Sequence, residues 1–191
     1  MSDENYHNIN IVITKEQVRN IWGVDNTYLL NNNSLKNLQL SDDTKKFIST
    51  IGIPKQPSLW ITFEIEDFLL TLEEYLKKYN KTNIINADNY YLIGYKGYTN
   101  DIYVCIKIED ETTWIVDNIE PIKSFNNFVN SSLQLLVEFL YIYEKYDSEN
   151  HEPELKVAKM RNKFLELDYM ALKNENSFWS IILEETEEGI I

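Results

Sequence analysis

The chain has 191 residues, 43% of them hydrophobic and 13% aromatic, and carries a net charge of −13 from 18 Lys and Arg against 31 Asp and Glu. This composition excludes a disordered chain, and the length suits one domain that buries its own core. The negative field repels phosphate backbones and anionic lipids, which argues against binding of nucleic acid or membranes. It favours a basic protein partner, although an acidic composition also serves solubility alone. We therefore expect one domain over residues 1–191.

The single cysteine, Cys105, excludes an internal disulfide and any multi-cysteine metal site. The N-terminal segment MSDENYHNIN has neither a basic leader nor an apolar stretch, and no segment approaches the ~20 apolar residues of a membrane span. These features predict a cytoplasmic protein.

The first third of the chain contains two helix signals. TKEQ at 14–17 is a capping box that predicts a helix over 15–22. Ser41 precedes two aspartates and a helical apolar pattern, and Gly52 and Pro54 end it. Both segments are therefore predicted to be short, capped helices.

Strand patterns follow. LWITFEIE at 59–66 is β-branched and aromatic, which predicts a strand, and a second capping box at 71–74 opens a short helix through Tyr79. Residues 89–118 contain three alternating runs with short polar connections, which indicate an antiparallel meander. The predicted fold is α+β: a single domain with a central, mostly antiparallel sheet, including a three-strand meander, flanked by helices.

FVNSSLQLLVEFLYIYEKY at 128–146 predicts a helix that is apolar over most of its circumference. Only a narrow strip, which includes Gln134 and Glu138, is polar, and we expect it to face solvent. Such a helix must be covered on two sides, so it is predicted to lie between the sheet and other helices. Its buried start needs a cap, and we expect Asn130 or Ser131 to supply it.

Two further helices are predicted near the C-terminus. Pro153 suits the first position of one, Asp168 could cap the turn YMALK, and Ser177 could cap a last helix with Trp179 on its flank. The acidic tail EETEEG at 184–189 places negative charge at the negative end of the helix dipole, so we expect it to fray.

The inventory of reactive groups is small. His7 and His151 lie in polar stretches, and Cys105 lies inside an alternating strand without a histidine nearby in the pattern. No phosphate-binding loop, dinucleotide fingerprint, nucleophile elbow or zinc spacing is present. We expect no enzymatic activity, no cofactor and no metal.

Acidic residues cluster instead at the predicted ends of the meander strands. They are candidates for contacts with a protein partner, and the alternative is an ordinary solvated surface. A small carboxylate hydrolase is a third hypothesis, because two carboxylates suffice for glycoside hydrolysis. The candidate partner-binding residues are Asp101, Asp110, Glu111, Asp117 and Glu120.

Six segments in this order resemble the SUKH superfamily of bacterial toxin-immunity proteins, and within it the fourth subgroup most closely. The resemblance covers roughly residues 35–188. The segments are LSDDTKKFISTIGIP (40–54), YYLIGY (90–95), TTWIVDN (112–118), FVNSSL (128–133), LDYMAL (167–172) and SFWSIILEE (177–185).

The resemblance implies an α+β fold and a cytoplasmic protein that binds and occludes a cognate polymorphic toxin domain, often a nuclease. The alternative within the superfamily is a regulatory or scaffold module. The turn at 110–112 departs from relatives because it lacks their glycine. The family-like positions, which we interpret as fold determinants, are Gly52, Pro54, Gly94, Asn130, Ser131, Asp168 and Trp179.

Overall fold

The computed structural model describes residues 13–59, 61–65, 69–81, 84–97, 101–117 and 127–191. The helices in these ranges are α1 (Lys15–Trp22), α2 (Asn32–Leu35), α3 (Asp42–Thr50), α4 (Leu72–Lys78), α5 (Leu133–Asp147), α6 (Pro153–Leu167) and α7 (Phe178–Glu187). The strands are β1 (Thr27–Tyr28), β2 (Ile53–Pro54), β3 (Ile61–Phe63), β4 (Tyr90–Lys96), β5 (Ile102–Lys107), β6 (Thr113–Asp117) and β7 (Asn127–Asn130). Short 3-10 helices span Ala87–Asn89 and Tyr169–Leu172.

The main sheet has the order β3-β4-β5-β6-β7, and every neighbouring pair is antiparallel. The α+β prediction and the meander are thus confirmed, and β7 extends the meander by a strand. The predicted strand at 59–66 is shorter, since only Ile61–Phe63 pairs with β4, while residues 60 and 66 lie outside the described ranges.

The two faces of the sheet carry two apolar clusters. The face that includes Ile93, Val104 and Ile106 joins the large core beneath the helices. The opposite face, which includes Leu92 and Cys105, is covered by α4 in a smaller cluster. Alternation along each strand places successive side chains in different clusters, as period-2 geometry requires.

Helix α5 is the central element of the large core. Ten of its residues are buried, and it packs against α1, α3, α6 and β7. Phe139 on α5 stacks on Phe164 of α6 with ring centroids 4.0 Å apart, and Trp179 of α7 contacts both rings. The prediction that this helix is covered on two sides is confirmed.

The first half of the polar strip of α5 is not solvated, contrary to our expectation, whereas Lys145, further along the same strip, is exposed as predicted. Gln134 and Glu138 are both buried, Gln134 lies against Thr44 of α3, and Glu138 meets the backbone of Ile13 before α1. Helices α1 and α3 therefore cover this first half, which the sequence pattern assigned to water.

Two glycines allow close approach between segments. A Cβ on Gly94 would lie 2.8 Å from Cα of Phe63, so only glycine lets β3 pair closely there. Gly52 has φ +94° and precedes β2, where Pro54 pairs with Thr27 of β1. The interpretation of these positions as fold determinants agrees with this geometry.

The last helix is formed through Glu187. Thr186 is buried, and its hydroxyl lies 3.2 Å from that of Tyr143 on α5. This anchor holds in place the acidic segment that we expected to fray. Along the described part of the chain, no helix combines the length and the apolar character needed to span a bilayer.

Candidate partner-binding site

The β5–β6 hairpin turn is built around a left-handed residue. Glu111 has φ +58°, and its amide donates to Lys107 O at 2.9 Å while Lys107 N donates to Thr112 O at 2.8 Å. Glycine adopts this backbone region most readily. The turn is thus closed by a glutamate with a left-handed backbone.

The Glu111 side chain anchors the hairpin to α3. Its carboxylate accepts hydrogen bonds from the backbone N–H and the hydroxyl of Ser41, the latter at 2.8 Å, and from the Thr44 hydroxyl at 2.5 Å. Ser41 is the predicted cap of α3, and its hydroxyl oxygen accepts from Thr44 N at 3.2 Å. A carboxylate at a helix N-terminus also interacts favourably with the helix dipole. Glu111 is therefore held by contacts within the chain.

Asp110 beside it is also held in an ionised state. Burial opposes ionisation, but hydrogen bonds from Thr112 and Lys107 outweigh it and lower the pKa of Asp110. Lys107 Nζ lies 3.1 Å from Asp110 and 2.9 Å from Glu109, and these bonds raise the pKa of the lysine. At neutral pH this turn thus presents three carboxylates with one ammonium group.

An open surface depression of about 400 Å³ lies between this turn and the starts of α3 and α5. Four acidic and five neutral polar residues line it, and none of the described lining residues is basic. The acidic ones are Asp43, Glu109, Asp110 and Glu111. We call this feature the hairpin-end cavity.

Gln134 lines the cavity and has an incomplete set of partners. The residue is 6% exposed, its Nε2 donates to Thr44 Oγ1 at 3.4 Å, and its Oε1 has no hydrogen-bond partner in the described structure. The Thr44 hydroxyl donates its proton to Glu111, so only the amide nitrogen of Gln134 can face it as a donor. A buried acceptor left without a donor costs ~1–3 kcal/mol.

The predicted rim acids lie at two ends of the sheet. Asp110 and Glu111 are in the β5–β6 turn, whereas Asp101 precedes β5 and Asp117 ends β6 opposite Ile102. The length of β5 separates the two ends by roughly 17 Å. Asp101 pairs with Lys81 at 3.2 Å, and Glu120 lies outside the described residues. The described acids thus form two groups instead of one patch.

A second polar cluster, which we call the inner network, comprises Asn130, Ser131, Asp168 and Trp179. Asp168 accepts from Ser131 N at 2.7 Å, Ser131 Oγ at 2.8 Å and Asn130 Nδ2 at 3.2 Å. Trp179 Nε1 donates to Asn130 Oδ1 at 2.9 Å. Its contacts join β7, the start of α5, the end of α6 and α7.

The inner network corrects three sequence predictions. Helix α5 is capped by Ser132, whose hydroxyl accepts from Leu135 N at 3.2 Å, while Asn130 Oδ1 accepts from Trp179 and the Ser131 hydroxyl donates to Asp168. Asp168 does not cap the following 3-10 turn with its side chain, since its carboxylate faces β7 and α5. Trp179 is fully buried instead of lying on a flank. All three residues of the Asn-Ser-Ser triplet make hydrogen bonds within the chain, although the cap is Ser132 and not Asn130 or Ser131.

The described cysteine and histidine are not placed for nucleophilic catalysis, and the carboxylates that do cluster are those of the hairpin-end cavity. Cys105 is fully buried, which raises the pKa of its thiol. His151 pairs with Glu149 at 3.3 Å near the surface, and His7 lies outside the described residues. The same ranges contain no group of three or more His, Cys, Asp or Glu side chains arranged to hold a metal ion.

Comparison of the sequence with protein-family models shows the family of this chain. The model of the SUKH-4 immunity protein family matches residues 13–185, nearly the whole chain. The chain belongs to the SUKH-4 immunity protein family. The fourth-subgroup resemblance is thereby confirmed, and the SUKH-4 assignment supports a role as an immunity protein that binds a toxin. No match was found among curated proteins or solved structures.

Proposed function

We propose that this SUKH-4 protein neutralises a cognate polymorphic toxin domain in the cytoplasm by binding it and covering its active site, without chemistry of its own. The family match over residues 13–185 carries the proposal. The large core and the tightly bonded inner network supply a rigid body, which limits the entropic cost of association.

We further propose that the toxin acts on nucleic acid. A nuclease active site is basic because it must hold phosphates, and a protein of net charge −13 would be steered towards it. The hairpin-end cavity, with four carboxylates and no basic lining residue among those described, supports this proposal.

The proposed contact surface includes both acidic ends of the sheet. At the hairpin end, Glu109 and Asp43 are exposed and Asp110 is ionised, while Glu111 positions the turn. Asp101 and Asp117 would contribute at the other end, together with Glu120. These groups are proposed to contribute to binding through their negative charge and not by transferring protons.

The test uses the toxin domain that this proposal expects a neighbouring gene to encode. Co-expression of the two proteins should restore growth that the toxin alone abolishes. In vitro, toxin activity should fall linearly and reach zero at one equivalent, because occlusion consumes one inhibitor molecule per toxin. Full toxicity in the presence of folded protein would contradict the proposal. Inactivation by far less than one equivalent would indicate an enzyme.

A further inference from the structure

A groove of about 780 Å³ lies between the β6–β7 edge of the main sheet and the loop that leads into α7. Trp114, Phe128 and Met170 supply its apolar lining, and residues 173–177 supply its polar lining. We propose that this groove is the surface through which two copies of the chain associate about a twofold axis. The proposal goes beyond the proposed function and does not depend on the toxin.

The apolar lining of the groove is open to solvent. Trp114 and Phe128 are cross-strand neighbours with ring centroids 5.8 Å apart, and both residues are only partly buried. Met170, on the other side of the groove, is 48% exposed. Aromatic and methionine side chains are enriched in protein interfaces, and methionine adapts its shape to a facing surface. Met170 of one copy can therefore enter the groove of the other.

The charges around the groove are balanced, unlike those of the chain as a whole. Its charged lining residues in the described structure are Lys173 and Glu175, whereas the chain carries a net charge of −13 and four acidic residues line the hairpin-end cavity. Two copies of such an acidic chain repel each other. The groove therefore offers them an approach with less repulsion than the acidic ends of the sheet.

The positions of Lys173 and Glu175 favour a second copy of the chain as the partner. Both residues are exposed, and neither forms an ion pair with another residue of the described ranges. In a twofold interface, residue i of one copy faces residue j of the other, and j faces i. An axis that passes beside Asn174 would set Lys173 of each copy against Glu175 of the other. Both charges are then paired at once, which a partner that carries only one sign of charge does not achieve.

The loop that carries these two charges is held in place. Asn176 N donates to Asn174 Oδ1 at 2.9 Å. The Ser177 hydroxyl donates to Ala171 O at 2.8 Å, which ties the end of the loop to the 3-10 helix before it. A preformed loop loses little conformational entropy on association. One groove is a small contact, however, so we expect a dissociation constant of about 10–100 μM and a monomer at the ~1 μM used in unfolding experiments.

The test is sedimentation equilibrium of the full-length protein from about 1 to 500 μM. We expect the parent to form dimers as its concentration rises. Lys173→Glu and Glu175→Lys each place like charges across the axis, so each should weaken self-association at least about tenfold. Lys36→Glu, which makes the first of these changes at an exposed position outside the groove, should change self-association little.

A mixture of the two groove variants tests the reciprocal pairing. Lys173→Glu in one copy and Glu175→Lys in the other bring opposite charges together at both contacts. The equimolar mixture should therefore form heterodimers with about the affinity of the parent. An interface that does not pair these two positions with each other would not be restored in this way.

Met170→Ala tests the apolar contact, and Leu155→Ala, at a position 49% exposed on α6, is its matched control. The first variant should weaken dimerisation several-fold and the second should not. Both should keep the unfolding curve of the parent, because both side chains are exposed.

Three results would overturn the proposal. The first is a parent that stays monomeric at the highest concentration, which would leave the groove to a different partner. The others are dimers that persist unchanged in Lys173→Glu, and a mixture of the two groove variants that does not associate. These measurements contain no toxin, so their failure is separate from a failure to protect cells.

Discussion

Two polar clusters meet at the start of α5, where Ser131 belongs to both, and they differ in how completely their hydrogen bonds are made. In the inner network the side-chain oxygen and nitrogen of Asn130 and the indole N–H of Trp179 have partners at 2.9–3.2 Å. In the hairpin-end cavity, Gln134 Oε1 has no partner in the described structure. Buried polar atoms that serve the fold are usually satisfied, so the inner network is a structural cluster, whereas the unpaired oxygen of Gln134, like that of Glu138 on the same helix, does not by itself mark a binding site.

The largest expected effect comes from breaking the inner network. Asn130→Ala would leave Trp179 Nε1 buried without an acceptor and remove one donor to Asp168. We expect the free energy of unfolding to fall by about 3 kcal/mol and the melting temperature by about 6–12 °C. Denaturant titration and calorimetry measure both.

The exposed Asn176 provides the matched control for that variant. Asn176→Ala should change stability by less than about 0.5 kcal/mol. If the free energy of unfolding fell equally little in Asn130→Ala, the inner network would not stabilise the fold.

Glu111 tests the anchored side of the hairpin-end cavity. Glu111→Gln replaces charge-assisted bonds to Ser41 and Thr44 with neutral ones, so the free energy of unfolding should fall by about 1–2 kcal/mol. Glu109→Gln on the same turn, whose carboxylate contacts Lys107, should have little effect. Chemical denaturation measures the free energy of unfolding of both variants. Equal values would show that Glu111 does not anchor the hairpin to α3.

Gln134 should respond with the opposite sign to Asn130. Gln134→Met removes a buried acceptor that has no donor in the described structure, at the cost of one long hydrogen bond to Thr44, so the protein should become about 1 kcal/mol more stable. Gln39→Met at an exposed site is the control. A loss of stability in Gln134→Met would mean that its amide serves the fold and would weaken the contrast between the clusters.

Glu138, one turn further along α5, gives the smallest expected effect, and this effect depends on pH. Burial raises the pKa of Glu138, only partly offset by the Ile13 backbone. The folded-state pKa therefore exceeds the unfolded value of about 4.3. Stability from this residue is present below the unfolded pKa and is lost as pH rises through the folded pKa.

Glu138→Gln cannot lose a proton and should therefore be more stable than the parent at neutral pH. The difference should shrink as pH falls to about 4 and below, because the pKa of a glutamate in the unfolded chain is about 4.3. The exposed Glu175→Gln, in the loop before α7, should show no such trend. Unfolding curves across the acidic range would contradict the burial argument if the Glu138 and Glu175 variants behaved alike.

Local signals in the sequence were sufficient for much of the fold. The capping boxes at Thr14 and Thr71 form as predicted, because each involves residues only three positions apart. The meander follows from period-2 alternation, and Ser41 and Ser177 cap the helices assigned to them.

Contacts between distant residues were not predictable in the same way. Asn130 is diverted from capping by Trp179, 49 positions away, and Gln134 is buried by α3, whose Thr44 is 90 positions away. No local pattern reports either contact. The division of the rim acids between two ends could have been predicted. In an antiparallel hairpin the turn lies at one end of the two strands, and their other ends lie together at the opposite end of the sheet.

The most direct test of the account is the rate at which the protein associates with its cognate toxin, measured by stopped flow at low and high salt. The variant Asp43→Lys/Glu109→Lys reverses charge at the hairpin-end cavity, and Glu187→Lys/Glu188→Lys makes the same change in net charge at the exposed end of α7. Electrostatic steering towards the cavity predicts that the first variant associates at least about tenfold more slowly than the parent at low salt and loses most of its salt dependence, while the second changes little. Equal association rates for the two variants would contradict the account.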